Sequence, residues 1–276
     1  AQMDRESLAD IMGLDLDAIR VMPSACGGGF GSKLDVSFQP YVALAAWMLG
    51  RPARIFFSRG ESMRASTKRH PSSIRLTVGA DEAGRISGFV FDGVFNTGAY
   101  ASWGPTVANR VPIHACGPYF TPDYRANSVA VHTNAPPAGA FRGFGVPQSA
   151  VAQELAYDRL ADNLGMDRLA FRRLNALKND MRTVTRQVFE SGVGIDDCLA
   201  ALEERWHDAL QAAETFNKTA KETGDDWRKG VGIGACWYGC GNTTLPNPST
   251  MRMGITADGR LILHQGAMDI GQGANT

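Results

Sequence analysis

The chain lacks any imbalance of charge: 28 Lys plus Arg stand against 28 Asp plus Glu over 276 residues, a formal net charge of zero at pH 7. That leaves no electrostatic footprint for nucleic acid or an anionic membrane surface, so neither is expected as a partner. Long apolar runs are also missing. The longest, Tyr41 to Leu49, is far short of the roughly 18 residues of a spanning helix and is expected to form a buried helix. The opening Ala1-Gln2-Met3-Asp4-Arg5-Glu6 is charged and lacks both a secretion signal and an initiator methionine. A missing N-terminus is therefore expected, with a cytoplasmic location and the periplasm as the alternative. The five cysteines, Cys26, Cys116, Cys198, Cys236 and Cys240, are odd in number and match neither a disulfide framework nor a zinc site. An iron–sulfur cluster held by this chain alone is not expected, since it needs four closely organised thiolates. Histidines 70, 114, 132, 207 and 264 show no metal-ligand spacing and are read as structural.

Glycine, in contrast, is abundant at 31 residues, and much of its interest lies in three loops far apart in the chain. They read Gly27-Gly28-Gly29-Phe30-Gly31-Ser32-Lys33, Gly139-Ala140-Phe141-Arg142-Gly143-Phe144-Gly145 and Gly271-Gln272-Gly273. Glycine lets main-chain N–H groups come close to a ligand. Three such loops, each carrying an aromatic or polar side chain, suggest one large ligand held from several sides.

Between them, helical and strand-like patterns alternate, which defines an α+β fold of mixed sheets and packed helices. Helices are expected at Glu6–Leu14, Gln39–Leu49 (ended by Gly50), Gln148–Asn163, Arg168–Leu177 and Asp196–Thr215. On the third of these Val151, Leu155, Leu160 and Leu164 mark the apolar face. Strands are expected at Ala18–Met22, Arg54–Phe57, Ser128–His132, the run from Gly230 into Cys236, and two hairpins, Ser73–Val78 with Ile86–Phe95 and Met251–Ile255 with Leu261–His264. Lys218–Asp226 reads as a polar linker. The composition shift near 225 places a boundary there: 1–225, with a helical linker at about 181–225, and 226–276.

Two familiar glycine signatures do not fit. A P-loop needs Gly-Lys-Ser/Thr, whereas Gly31-Ser32-Lys33 has hydroxyl and amine out of order. The dinucleotide fingerprint fails in the first loop at Ser32, and Gly230-Val231-Gly232-Ile233-Gly234 follows a polar stretch where a strand is required. Taken together, the three loops resemble those of the molybdenum hydroxylases, the family of xanthine dehydrogenase and aldehyde oxidoreductase. The segment Ala140 to Gln148 carries the most specific match, with Met268 to Gly273 resembling the pterin-side loop. Gly50-Arg51-Pro52, Glu154-Leu155-Ala156, Asn163 to Asp167 and Lys229 to Gly232 extend the similarity, most of all to bacterial aldehyde oxidoreductases.

The resemblance implies part of a two-lobed molybdopterin-binding domain. It implies a molybdenum–molybdopterin cofactor, in plain or cytosine dinucleotide form, held by Gly29, Phe30, Gly31, Arg142, Gly271, Gln272 and Gly273. Phe30 and Arg142 would present main chain near the ligands of the metal without ligating it themselves. Phe144, Leu34 and Arg110 fall at substrate-pocket positions, the last by an ungapped count back from Arg142. Leu34 stands where purine-oxidising members carry glutamate, which removes that route to purine recognition. The implied reaction is hydroxylation with water as oxygen source, aldehyde to carboxylate first and N-heteroaromatic hydroxylation second. Partners would be 2Fe–2S domains and a flavin (FAD) domain, in the same or other subunits of a homo- or hetero-oligomer. The family's glutamate general base is expected beyond Thr276, so an alternative for the isolated chain is a cofactor-binding module without turnover. Glu154 is read as structural.

Overall fold

The computed structural model describes residues 2–239 and 248–274; Cys240 lies outside them. Eight α-helices, one 3-10 turn and five strands follow in order among the described residues. They are α1 (Gln2–Met12), α2 (Gln39–Leu49), α3 (Arg59–Ala65), β1 (Ser72–Ala80), β2 (Ile86–Gly98), α4 (Gly104–His114), β3 (Asp123–His132), α5 (Val146–Asn163), α6 (Arg168–Asn175), α7 (Ile195–Ala200), α8 (Glu203–Thr223), β4 (Arg252–Ile255) and β5 (Leu261–His264).

The centre of the molecule is a three-stranded sheet in the order β1-β2-β3. β1 and β2 form the expected antiparallel hairpin, and β3 lies parallel to β2 through the α4 crossover. Strand β2 alternates buried and exposed positions, the period-two pattern of a sheet covered on one face. Its inward residues Phe89, Phe91 and Phe95 join Val111 and Ala115 of α4 and the turn after it, Tyr157 and Ala161 of α5 and Phe171 of α6 in one core. Gly93 is needed among them, because a Cβ there would lie 2.7 Å from the Phe91 ring and 2.8 Å from that of Phe95.

Helix α5 meets the core by a face that its apolar residues mark only in part: of those expected there, Leu160 packs on the core. Val146, Ser149, Gln153, Tyr157 and Ala161 are buried, while Val151 and Leu155 are exposed. The charged group beside that face is satisfied locally. Arg172 of α6, with no exposed side-chain surface, pairs with Glu154 at 2.6 Å, and Tyr119 Oη donates to Glu154 Oε1 at 3.0 Å. Pairing of this kind makes burial of such a group tolerable. Glu154 is thus committed to the scaffold, as its helix position implied.

Other expectations are corrected. Ala18–Met22 forms no strand: a 3-10 turn, Leu16–Ala18, is followed by irregular chain. Residues 54–57 are irregular also, with Phe56 82% exposed. Helix α2 forms as expected but contains no buried residue. The expected helix at Asp196–Thr215 is two helices, and α8 runs on to Thr223 through much of the expected linker, where Gly224 closes it in the left-handed conformation. The stretch 231–239 forms no strand. It nevertheless packs: Val231 and Ile233 lie on a second core made by Leu169, Ala176, Leu199 and Trp206, and Ala235 reaches the main one.

Candidate functional site: three converging glycine loops

The three loops meet. A Cβ on Gly31 would lie 2.6 Å from the carbonyl oxygen of Ala140, and one on Gly271 2.9 Å from that of Cys26. Both glycines have positive φ, 99° and 103°, so neither the backbone angle nor the space admits a side chain. Gly29 lies against the Ile270 side chain, whose Cδ1 a Cβ there would approach to 2.8 Å. The first loop is therefore sandwiched between the second and the third. One hydrogen bond ties the first pair directly, Arg142 N–H to the Phe30 carbonyl at 2.8 Å.

Among the described residues, two of the five non-glycine residues with positive φ, Phe30 at 51° and Phe144 at 47°, lie within these loops. Such conformations persist where the surroundings over-determine them, and they concentrate at functional sites. The first loop turns on Ser32 N–H to Gly29 O (3.1 Å) and Leu34 N–H to Gly31 O (3.2 Å). Among the described residues the N–H groups of Gly28, Gly29, Phe30 and Gly31 make no hydrogen bond. A run of free main-chain donors is what a ligand rich in acceptor atoms requires. In the third loop the Gln272 side chain closes its own turn, donating to Met268 O at 2.7 Å and accepting from Ile270 N–H at 2.6 Å. Lys33 Nζ donates to Cys26 Sγ at 2.8 Å, and this bond lowers the thiol's pKa.

The second loop is delivered from the sheet edge and pinned by Arg69, a residue that no sequence pattern singles out. Lys68 pairs with Ala138 in a parallel bridge, which brings Arg69 alongside the loop. Arg69 Nη2 donates to Arg142 O at 2.7 Å, Nη1 to Gln148 Oε1 at 3.3 Å, and the guanidinium carbon lies 4.4 Å from the Phe141 ring centre. Gln148 Nε2 in turn donates to His70 O at 3.1 Å. The peptide groups on both sides of Arg142 are thus fixed, one by Phe30 and one by Arg69. The Arg142 side chain is exposed, and among the described residues it forms no salt bridge.

The substrate-pocket positions split. Arg110, buried on α4, lies 5.9 Å from the Phe144 ring centre, so the ungapped count brought together two residues that do meet. Trp103 stands edge-on to Phe144 at 6.3 Å, and Tyr238 covers the Arg110 guanidinium at 4.3 Å; neither carries a signal in the sequence. Leu34 is half exposed, and its N–H is spent on the first loop's own turn. A separate cleft of about 380 Å³ between α6 and α8, lined by Asp167, Arg173, Asp196 and Glu203, shares no residue with the loops.

The arrangement defines a cofactor-cradling domain built from backbone, in which no group of three His, Cys, Asp or Glu side chains able to hold a metal ion occurs among the described residues. Two family models agree with it, each described as a molybdopterin cofactor-binding domain, matching residues 1–176 and 200–276. The chain belongs to the molybdopterin cofactor-binding family of the molybdenum hydroxylases. It is 40% identical over 202 residues to the nicotinate dehydrogenase large molybdopterin subunit of Eubacterium barkeri, covering 73% of this chain and 48% of that one. To the xanthine dehydrogenase molybdenum-binding subunit of Escherichia coli O157:H7 it is 32% identical, over 99% of this chain and 36% of the relative. The solved aldehyde oxidoreductase from Desulfovibrio gigas superimposes with a TM-score of 0.83 at 27% identity, over 99% of this chain and 29% of that structure. The chain therefore spans less than half the length of each of these proteins.

Proposed function

We propose that this chain is part of the catalytic subunit of a molybdopterin-dependent hydroxylase acting on a small planar substrate. The observation that carries the reading is the convergence of the three loops, which sets free donors of Gly28 to Gly31 beside the second and third loops. Those amides, with Gly271, Gln272 and Gly273 on one side and the Arg142 main chain on the other, would hold molybdenum–molybdopterin. When bound, the cofactor supplies a two-electron acceptor and a metal centre at which a carbon–hydrogen bond can be replaced by carbon–oxygen. The division of labour within the chain is then clear: Phe30 and its neighbours donate hydrogen bonds, Phe144 offers a flat apolar wall, and Arg110 orients an oxygen of the substrate. A planar five-donor guanidinium suits a carbonyl or carboxylate. Glu154 supplies no general base, being held by Arg172 and Tyr119. Iron–sulfur and flavin domains would carry the electrons away.

Of the two substrate classes, Arg110 beside Phe144 favours an N-heteroaromatic ring bearing an oxygen function, in keeping with the nicotinate dehydrogenase relative. Aldehyde oxidation retains the support of the aldehyde oxidoreductase likeness. Leu34 argues against purines, since it can neither donate nor accept. The test is turnover by the full-length protein with an N-heteroaromatic acid, an aromatic aldehyde and xanthine. The first two should be oxidised well ahead of the third, and Leu34→Glu should raise xanthine turnover. Efficient xanthine oxidation with Leu34 in place would refute the pocket reading.

A further inference from the structure

Arg110 and His114 stand one turn apart on α4, and together they seat a segment from the far end of the chain. Gly239 N–H donates to His114 Nε2 at 3.1 Å, so that nitrogen must be an acceptor and the proton lies on Nδ1, which faces Arg110 O at 3.2 Å. Trp237 Nε1 donates to His114 O at 3.4 Å. The Tyr238 ring stacks on the imidazole at 5.9 Å with 21° between planes, and its face lies 4.3 Å from the Arg110 guanidinium carbon. Arg110 Nη2 donates to Gly239 O at 3.1 Å. The guanidinium thus has Tyr238 near it at 4.3 Å and Phe144 at 5.9 Å. Arg110, His114 and Phe144 fall in the first matched domain, 1–176, and Tyr238 in the second, 200–276.

We propose that Tyr238, seated by His114, is the residue that positions Arg110 and so sets a preference for substrates carrying a carboxylate. The inference rests on the reading of Arg110 as a substrate-orienting cation. Its physical content is preorganisation. An unrestrained arginine side chain loses much rotamer freedom when it binds an anion, whereas one held over an aromatic face and bonded to a carbonyl has lost it beforehand. The second domain would then contribute a determinant of specificity and not cofactor contacts alone.

The experiment compares full-length holoenzyme and its Tyr238→Leu, Tyr238→Phe and Arg110→Met variants on quinoline-4-carboxylate and quinoline, which differ only in the anionic group. KM and kcat are read for each, and binding is followed independently of turnover by quenching of tryptophan fluorescence, Trp103 and Trp237 flanking the cluster. The expected result for Tyr238→Leu is a roughly tenfold loss of preference for the carboxylate, carried by KM, with Tyr238→Phe keeping it. If Arg110→Met abolishes the preference while Tyr238→Leu keeps it, the positioning role is overturned and the Arg110 reading stands. If Arg110→Met keeps the preference, or the wild type has none in turnover or binding, the Arg110 reading falls and the inference with it. An equal effect of Tyr238→Leu on both compounds, without rescue by phenylalanine, marks a merely structural ring and also overturns it.

Discussion

The block from β1 through α6 and the flanking elements α2, β4 and β5 solve the burial problem in opposite ways. In the block, Phe89, Phe91, Phe95, Tyr157 and Phe171 interlock across sheet and helices, with essentially no exposed surface. In α2 the sequence is as apolar, yet Tyr41, Trp47, Met48 and Leu49 are all exposed, Trp47 by 66%. Every residue of β4 and β5 is exposed, including Met253, Ile255, Leu261 and Leu263. Apolar character therefore does not decide burial within this chain; a facing partner does. Contiguous exposed apolar surface of this kind is typical of an interface. The second loop sits on the well-packed side of this division and leads straight into α5, whereas Gly271, Gln272 and Gly273 of the third, which follow β5, are exposed.

The largest effect expected from breaking the comparison lies in the block. Arg172→Met leaves Glu154 buried without its cation, which should cost ~3–5 kcal/mol of stability, measured by urea denaturation of this chain. Next comes the pin of the second loop. Arg69→Met removes a charged donor from Arg142 O and should cost ~1.5–3 kcal/mol in the same measurement. Arg69→Lys should not rescue it fully, because an ammonium cannot bond Arg142 and Gln148 while stacking on Phe141.

A smaller effect is expected from pH at the seam between α4 and residues 237–239. Burial holds His114 below the ordinary imidazole pKa, against the hydrogen bond to Arg110 O and with the Arg110 guanidinium adding to the depression. A depressed folded value means that the contribution to stability is complete above the unfolded pKa of about 6.5 and is lost as pH falls below it. Protonation also removes the acceptor for Gly239 N–H. Besides Arg110, the phenol of Tyr238 and the Trp237 indole face the ring, and none of these offers a carboxylate to offset the added charge. The protection of the Gly239 amide, its exchange rate compared with the intrinsic rate at the same pH, should fall as the solution is acidified and stay constant above neutrality. The smallest effect belongs to α2. Trp47→Ser should change the stability of this chain by no more than ~0.5 kcal/mol, while reducing its self-association in sedimentation experiments. A loss as large as that of Arg172→Met would show that α2 is part of the core after all.

Much of this architecture is legible in the residues. The β1–β2 hairpin follows from alternation and a turn-rich connection, and α5 and α6 from periodicity and the glycine between them. The loops stand out because glycines recur there beside aromatic and polar side chains. What resists reading is whatever depends on distant partners. The buried face of α5 is marked by Ser149 and Gln153, polar residues that only a fold can satisfy, so apolar spacing caught Leu160 of it and missed the rest. Arg69 carries no local signature, its bonds reaching residues 73 and 79 positions away. Tyr238 meets Arg110 from the second matched domain, a pairing no local pattern announces. The short strands expected at 18–22 and 54–57 have the right composition, but among the described residues no neighbouring strand pairs with them.

Convergence of the first loop with the other two is the central claim, and cofactor analysis of the full-length protein tests it most directly. Wild-type protein should carry molybdenum and pterin in equal amounts. Gly31→Ala, whose methyl group would collide with Ala140 O, should lose most of both. A wild type without either component, or a Gly31→Ala variant that retains the full complement, would contradict it.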